Sequence, residues 1–594
     1  MRVKQIKQVR CLETREVNMI KFTIKEYTSM AKFGIISKHL LLSRVFVCVL
    51  AAALLAMSGH AGTVDVSDIR EWMSESFQNQ YDVGRLLAGD CQGYNVKPPI
   101  DWSCTNIQDR VICWQLHGFI MLDPVMRQCE TSYDERCGRY LHDYVLDWVR
   151  ANPVPLKGND WAWHDDATAR RAHRMSYLWR FLPKLWSEEE SREIKKSLDA
   201  QAALLATDSF YKRRHNHGMY QDLALLCYAL CVCDDDAARK MYIDKAVARS
   251  LEYFDYVFCR NGVHKEHSLL YGSDVSKAAR CFAKIVESID AGAASRYDAY
   301  YRGAKRFLSL CTMPNRKWPS IGDSAEVISS FGSKTASEVA SVFTDGEAGG
   351  GYAIFRSSWN DPPDAATWIL FLAATFSSAH KHSDDLSFIL YHRGDLFVEA
   401  GKRDYNYANP ITTYAYSGYA HNVLCVDDRD FPVNVRQNGF RSVPSRALKT
   451  RIVNSVTNAM VSSVTGIQER FPGIVQTRTI SFDRIGRTVT IRDYMDTKKA
   501  FKASLLFHLA PGIKVETRGE AFEFLRDGVK VASITFSGDF DLPVKPRVLT
   551  DEGEPPYRTW IFGGELEPKC GSLIIVDAEC RAGRNSVGSF IKLF

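Results

Sequence analysis

Three stretches of the chain crowd proton-carrying side chains together. Arg213-Arg214-His215-Asn216-His217-Gly218 stands just before an apolar run from Met219 to Cys231. An amide and an imidazole at a helix start can meet an anion, because the first turn has backbone N–H groups to spare. Asn216 is also a good N-cap by type. The second stretch, Asn261 to Gly272, opens on an Asn-Gly turn and sets His264, Lys265, Glu266 and His267 ahead of Tyr271. A tyrosine acts as general acid or base when its phenol is held near cations that lower its pKa, and His264, Lys265 and His267 are the local cations. The third stretch, Ser378 to Tyr391, places His380, His382 and Asp384 before Leu386, Phe388 and Leu390. If it is extended, alternation with period two puts all six on one face, imidazoles and carboxylate at the polar end. Glu399 closes the hairpin that follows, and His421 stands in Tyr419-Ala420-His421-Asn422. Two histidines and a carboxylate are a set that zinc accepts. Each stretch also has an ordinary reading: a solvated helix entry, an interhelical loop, a strand with a polar lead-in.

The elements that must position these groups fall into two halves. Apolar residues at helical spacing fill Arg139 to Val149, and further helices read at about 166–182, 187–207, 218–233, 236–258, 274–290 and 296–311. Antiparallel helix pairs of this kind close into a toroid or stack as a solenoid. After Pro314 the texture changes, through a Gly349-Gly350-Gly351 junction, to short runs rich in Val, Ile, Phe, Thr and Tyr. These predict an antiparallel β-sandwich. Helices followed by strands give separate domains, taken as residues 62–345 and 346–594, with the cleft between them as the default ligand site.

Ahead of both lies an apolar run, Val45 to Met57, preceded by Lys32, Lys38 and Arg44 and followed by Gly59-His60-Ala61. It is short for a membrane span and ends in small residues that a signal peptidase reads. Residues 1–61 are therefore read as an export signal, with Met30 the more ordinary start, and the remaining chain carries no span. The destination is periplasmic. The formal charge of +6 resides in this leader, which holds ten Lys/Arg against three Asp/Glu. The rest is near neutral, so no nucleic-acid surface is expected. Export permits a disulfide among the clustered Cys91, Cys104, Cys113, Cys129 and Cys137, whereas Cys227, Cys231, Cys259, Cys281 and Cys311 read as buried thiols.

Taken together the chain resembles the heparinase II/III-like polysaccharide lyases. The resemblance rests on Trp163…Asp166…Arg170, Asn216-His217-Gly218, Gly262…Glu266-His267-Ser268…Tyr271, Pro319…Gly322-Asp323-Ser324, His380-x-His382-x-Asp384-x-Leu386-Ser387-Phe388 and Ala420-His421-Asn422. It implies an incomplete (α/α) toroid followed by an antiparallel β-sandwich, and cleavage of an anionic, uronate-containing polysaccharide by β-elimination. By the same resemblance Asn216 neutralises the uronate carboxylate, His217 is a base in some members, Tyr271 is the acid and in some members also the base, and His380 is the second active-site histidine. His382, Glu399 and His421 fall where some members bind zinc, with Glu399 in place of the usual Asp. No organic cofactor is implied. Arg213, Arg214, Glu266, Arg403 and Tyr405 are candidates for substrate contacts, as is Lys402. Two other readings compete. A toroid glycoside hydrolase would use two carboxylates, for which Asp166 and Glu266 are available. A non-catalytic carbohydrate-binding protein would keep the scaffold alone.

Overall fold

A computed structural model describes residues 66–594 apart from 76, 78, 106, 108–109, 133, 154–160, 332–337, 346–349, 378, 430–434, 437–438, 441–449, 540–541 and 551–557. The expected export signal lies outside the described residues. No helix among them is long and apolar enough to cross a membrane.

The helical half runs α1 Val66–Glu75, α2 Val83–Ala88, α3 Arg110–His117, α4 Asp123–Ser132, α5 Glu135–Ala151, α6 Asp165–Phe181, α7 Glu188–Ala206, α8 Asn216–Cys231, α9 Asp236–Val257, α10 Leu269–Val286 and α11 Ala291–Leu310. Local chemistry starts several of them. Ser187 and Glu190 form a reciprocal capping box at α7, and Asp134, Asp235 and Asp290 cap α5, α9 and α11. Burial then sorts them into two layers. In α7 only Ile194, Ser197, Leu198, Gln201, Ala202 and Leu205 are buried, a one-sided stripe at helical spacing. α6 and α8 are buried on nearly every side. α8 packs on both α6 and α9, and α10 on α11 and α1. Inner helices thus alternate with outer ones in sequential hairpins, the two-layered helical domain that the periodicity predicts.

The β half contains two antiparallel sheets. In chain order their strands are β1 Ala340–Thr344, β2 Gly351–Arg356, β3 Thr367–Ala373, β4 Phe388–His392, β5 Asp395–Phe397, β6 Leu424–Val426, β7 Arg451–Thr457, β8 Val461–Gln468, β9 Ile474–Asp483, β10 Thr488–Thr497, β11 Phe501–Leu509, β12 Ile513–Arg518, β13 Ala521–Arg526, β14 Val529–Gly538, β15 Val544–Thr550, β16 Ser572–Cys580 and β17 Gly583–Leu593. One sheet has the order β15-β16-β11-β5-β4-β3-β2-β1, with β6 also on β11; the other has β7-β8-β9-β10-β17-β14-β13-β12. β8 and β9 alternate buried and half-buried residues along their whole length, the mark of a sheet with one face in a core. β3 and β4 are buried throughout, because one face meets the second sheet and the other meets the helical half. Trp368 of β3, for example, donates its indole N–H to Leu310 O of α11 at 3.1 Å. The core between the sheets includes Phe371, Phe388, Phe397, Ile480, Ile491, Phe507, Phe524 and Ile591.

Two sequence expectations are corrected here. The stretch from His380 is not a strand until Phe388. His380 and Leu386 have φ of +55° and +62°, which breaks period-two alternation, so His380, His382 and Asp384 do not share a strand face with Leu386. Asp384 instead pairs with Lys381 in the interior, next to Asp385, which binds Arg470 at 2.7 Å. The disulfide is also missing: all 14 described cysteines are free thiols, with Cys570 alone exposed.

Candidate active site

The loop Pro319 to Ser324 leaves α11 and delivers Asp323 between the two halves. Gly322 has φ +49°, and a Cβ there would stand 2.3 Å from His267 O and 2.6 Å from His380 O. No other residue fits so close to two carbonyls. Asp323 is buried and accepts from His380 Nδ1 at 2.6 Å, His382 Nε2 at 3.1 Å and the Tyr416 hydroxyl. Burial pushes its carboxyl upward, but hydrogen bonds from the two histidines win and hold it well below the usual carboxylate range.

The same loop sets Tyr271. Ser324 Oγ accepts from Leu269 N at 2.8 Å, and Ser268 caps α10, so Tyr271 stands in the first turn of a doubly capped helix. Its ring stacks on His380 with centroids 3.9 Å apart and planes 20° apart. Its hydroxyl meets the Tyr405 hydroxyl at 2.9 Å. His380 Nε2 faces Glu266 Oε2 at 3.6 Å, and burial raises the Glu266 carboxyl. Two of the three expected local cations, His264 and His267, are absent in effect. Burial drives His264 and His267 down to about 3, so both are neutral. His267 Nε2 accepts from Phe376 N at 3.1 Å and Ser377 N at 3.3 Å, a structural clasp on the segment leading to His380. Burial therefore raises the Tyr271 phenol, with the Tyr405 hydrogen bond pulling the other way. A phenol so placed stays protonated and is fitted to donate a proton.

A second Asp–His pair lies where α6 and α8 begin. His217 Nδ1 is 3.3 Å from Asp165 Oδ1, and Lys212 Nζ is 3.5 Å from Oδ2. Burial opposes ionisation of Asp165, yet the bond and charge of His217 and the charge of His164 hold its carboxyl low. The N-cap is His215, whose Nδ1 accepts from His217 N at 3.1 Å, and Asn216 is the first helical residue, one position later than its type suggested. Gly218 is required because Lys212 O folds back to 2.2 Å from where a Cβ would be. Tyr220, one turn after Asn216, lies under the Arg170 guanidinium at 3.2 Å and within electrostatic reach of Asp274, one turn after Tyr271. The starts of α8 and α10 thus flank a shared region.

The remaining predicted residues divide. Tyr405 and Glu266 join the Tyr271–His380 cluster, and Lys402 Nζ sits 3.6 Å from the centre of the Tyr405 ring. Arg213 and Arg214 both bind Glu252, at 2.7 and 3.3 Å. Arg403 binds Asp404 and, at 3.4 Å, Thr412 Oγ1. Asp166, the carboxylate drafted for a hydrolase, is buried with its oxygens committed to Trp114 Nε1 at 2.8 Å and Arg170 Nε at 3.2 Å. Around the expected metal set, His382 Nδ1 and His421 Nε2 are buried without a hydrogen-bond partner, and their ring centroids are 5.4 Å apart. Glu399 accepts from Ser387 Oγ and contacts His421 Nδ1, so it stands behind His421 rather than beside the unpartnered nitrogens. Among the described residues no three His, Cys, Asp or Glu side chains form a set that could hold a metal. Sequence reasoning missed Asp165 as the partner of His217 and Tyr416 as a donor to Asp323. Asp323 itself was visible only as part of a motif. Nothing in residue spacing joins positions this far apart along the chain.

Comparison with known proteins bears on the family and the fold. The family model described as Heparinase II/III N-terminus matches residues 68–348, and that described as Heparinase II/III-like, C-terminal matches residues 346–578. No curated protein matches. Among solved structures, one titled Crystal Structure of Heparinase III is 15% identical, covers 96% of this chain and 91% of its own, and has a TM-score of 0.64. The heparan sulfate lyase HepC from Pedobacter heparinus is 14% identical, with 89% and 87% covered and a TM-score of 0.63. These likenesses show a shared fold of helical and antiparallel β domains. With both of its halves matched by models of one family, the chain belongs to the heparinase II/III-like proteins and is a polysaccharide lyase.

Proposed function

We propose that the protein, once exported, cleaves a uronate-containing polysaccharide by β-elimination and leaves an unsaturated uronate at the new end. The observation that carries this reading is the stack of Tyr271 on His380, with Asp323 behind the histidine. An acid from the helical half and a base from the β half lie side by side.

The C5 proton of a uronate is barely acidic while the carboxylate keeps its charge. Asn216, in the first turn of α8, places an amide and the positive end of a helix at that carboxylate. Stabilising the enolate-like oxyanion in this way contributes on the order of 10²–10³ in rate per donor. A histidine then takes the C5 proton. His217 and His380 each have a carboxylate on Nδ1, which fixes the tautomer with Nε2 as the base and stabilises the imidazolium that forms. A C5 proton on the face of Tyr271 goes to His380, its stacking neighbour; one on the opposite face goes to His217. Electrons from C5–H form the C4–C5 double bond, the C4–O4 bond breaks, and Tyr271 gives its proton to O4. The hydrolase reading is weaker, because both Asp166 oxygens are committed.

A zinc ion is proposed on two donors alone, since no set of three exists among the described residues. The unpartnered His382 Nδ1 and His421 Nε2 are the donor atoms, and Glu399 fills the place of the carboxylate that orients a metal-bound histidine from behind. Such an ion holds structure, and no step is routed through it.

Incubation with a panel of uronic-acid polysaccharides is expected to generate ultraviolet-absorbing unsaturated ends, and Tyr271→Phe to lower kcat by about 10²–10⁴ with the fold intact. Absence of the absorbing product across sulfated, unsulfated and bacterial uronans would sink the proposal. Retained turnover in the variant would remove Tyr271 as the acid.

A further inference from the structure

We infer that Tyr405 is the proton relay of the site, a positioning residue that reloads Tyr271 from solvent after each turnover. The inference rests on Tyr271 acting as the acid. Three observations carry it. The two hydroxyls are 2.9 Å apart. Tyr271 is half-buried with its ring stacked on His380 at 3.9 Å, whereas Tyr405 is 44% exposed, so Tyr405 is the more open of the two phenols and a route by which Tyr271 exchanges protons with water. Lys402 Nζ lies 3.6 Å from the centre of the Tyr405 ring, where a cation favours negative charge passing through that ring's oxygen.

Two of the ionisable neighbours on the other side offer no such supply. His264 and His267 are buried and neutral, and His267 Nε2 is occupied by two backbone N–H groups. Tyr416 donates to Asp323 rather than to Tyr271. Tyr405 is thus aimed at the one phenol that loses a proton in each cycle. Either hydroxyl can donate across this contact, so Tyr405 can present its proton to a phenolate at Tyr271.

The step balances without a co-reactant. When Tyr271 has given its proton to O4, its phenolate accepts the Tyr405 proton: the Tyr405 O–H bond breaks and the Tyr271 O–H bond forms. Tyr405 then takes a proton from water, and the histidine that removed the C5 proton returns one to water.

Tyr405→Phe keeps the ring beneath Lys402 and removes only the hydroxyl. Rapid-quench measurements on this variant are expected to show a fast first turnover followed by a slow steady state, a burst of one unsaturated product per site, with KM unchanged. Equal slowing of first and later turnovers would mean a structural role, and an unchanged steady state would mean no role; either overturns the relay. A second measurement needs no polysaccharide. With 3,5-difluorotyrosine installed at position 271, fluorine NMR reads its ionisation directly. Tyr405→Phe should raise that pKa by about 1–2 units, the worth of a hydrogen bond to a charged oxygen. An unmoved pKa refutes the coupling even if wild type turned over nothing. Wild-type inactivity on every uronan would instead count against the lyase chemistry.

Discussion

Asp323→Asn is the substitution that most directly tests how the site is held. The side chain keeps its shape and loses its charge. In the wild type its two oxygens accept from His380 Nδ1 at 2.6 Å, His382 Nε2 at 3.1 Å and the Tyr416 hydroxyl, all in the interior. Hydrogen bonds to a charged acceptor contribute about 1.5–3 kcal/mol each. Asparagine retains one accepting oxygen and turns an NH2 group toward a ring nitrogen that must itself donate. Loss of the charge and of at least one bond gives an expected destabilisation of about 3–5 kcal/mol, or a fall in Tm of roughly 3–5 °C for a chain of this size. The effect on turnover is larger in relative terms. His380 needs the carboxylate to fix its tautomer and to stabilise its charged form, and losing that is expected to lower kcat by about 10²–10⁴. KM should change little, because Asp323 is buried behind the histidine. Initial rates of unsaturated-product formation and thermal unfolding, on the same preparations, measure both quantities. Tyr416→Phe serves as the control: it removes a donor to Asp323 and leaves His380 in place, so stability should fall by about 1.5–3 kcal/mol with kcat nearly intact. A folded Asp323→Asn enzyme within tenfold of wild-type kcat would refute the reasoning. So would a Tyr416→Phe variant damaged as badly as Asp323→Asn.

Two further outcomes follow from groups away from the acid–base pair. Burial and the neighbouring Glu326 push the Asp395 carboxyl up to about 6, so the folded state binds that proton more tightly than the unfolded one. Stability should fall as pH rises from about 4 to about 6, and Asp395→Asn should gain about 1–2 kcal/mol at pH 7 and nothing below pH 4, as read by unfolding across pH; an unaltered pH slope would contradict this. Elemental analysis of dialysed protein should find about one zinc per chain, released by His421→Ala together with a loss of Tm, and a metal-free wild type of full stability would rule the ion out.

Much of the scaffold was legible because its signals are local. The stripe of α7 and the alternation of β8 and β9 each follow from neighbours a few positions apart. Tyr271 was legible as a tyrosine among ionisable residues, but it was read as lying in a loop before a helix at about 274–290, whereas Ser268 caps a helix that already begins at Leu269. What failed were inferences that treated a local pattern as the whole cause. His380 to Leu390 alternates by type, but His380 takes a left-handed conformation that alternation does not foresee, because Gly322, far away in sequence, packs against its carbonyl. His264 and His267 look like cations beside Tyr271, and depth of burial makes them neutral. Asp166 stood out by spacing, yet Asp165 next to it faces His217 while Asp166 faces Trp114 and Arg170. Asn422 was read as part of a site motif, and it proves to be a fastener: its amide binds Phe388 O at 2.8 Å and Val398 O at 3.0 Å, and accepts from His508 N at 2.6 Å.

The misreading of His380 traces to the loop from Gly322 to Ser324. Three consecutive residues of it reach both halves of the chain. Gly322 packs on the carbonyls of His267 and His380, Asp323 gathers His380 and His382, and Ser324 caps the helix that carries Tyr271. His267 and His380, on either side of Gly322, both hold positive φ of +56° and +55°. Such conformations cost about 1–3 kcal/mol each, and neither would persist on local preference. Three hydrogen bonds to a buried charge contribute about 5–9 kcal/mol, enough to offset both. The strain and its compensation therefore meet at one point, and the acid and base are brought to 3.9 Å only when the helical half and the β half are packed together. The pair exists as a consequence of docking, so a substitution that loosens this loop should separate activity from the stability of either half.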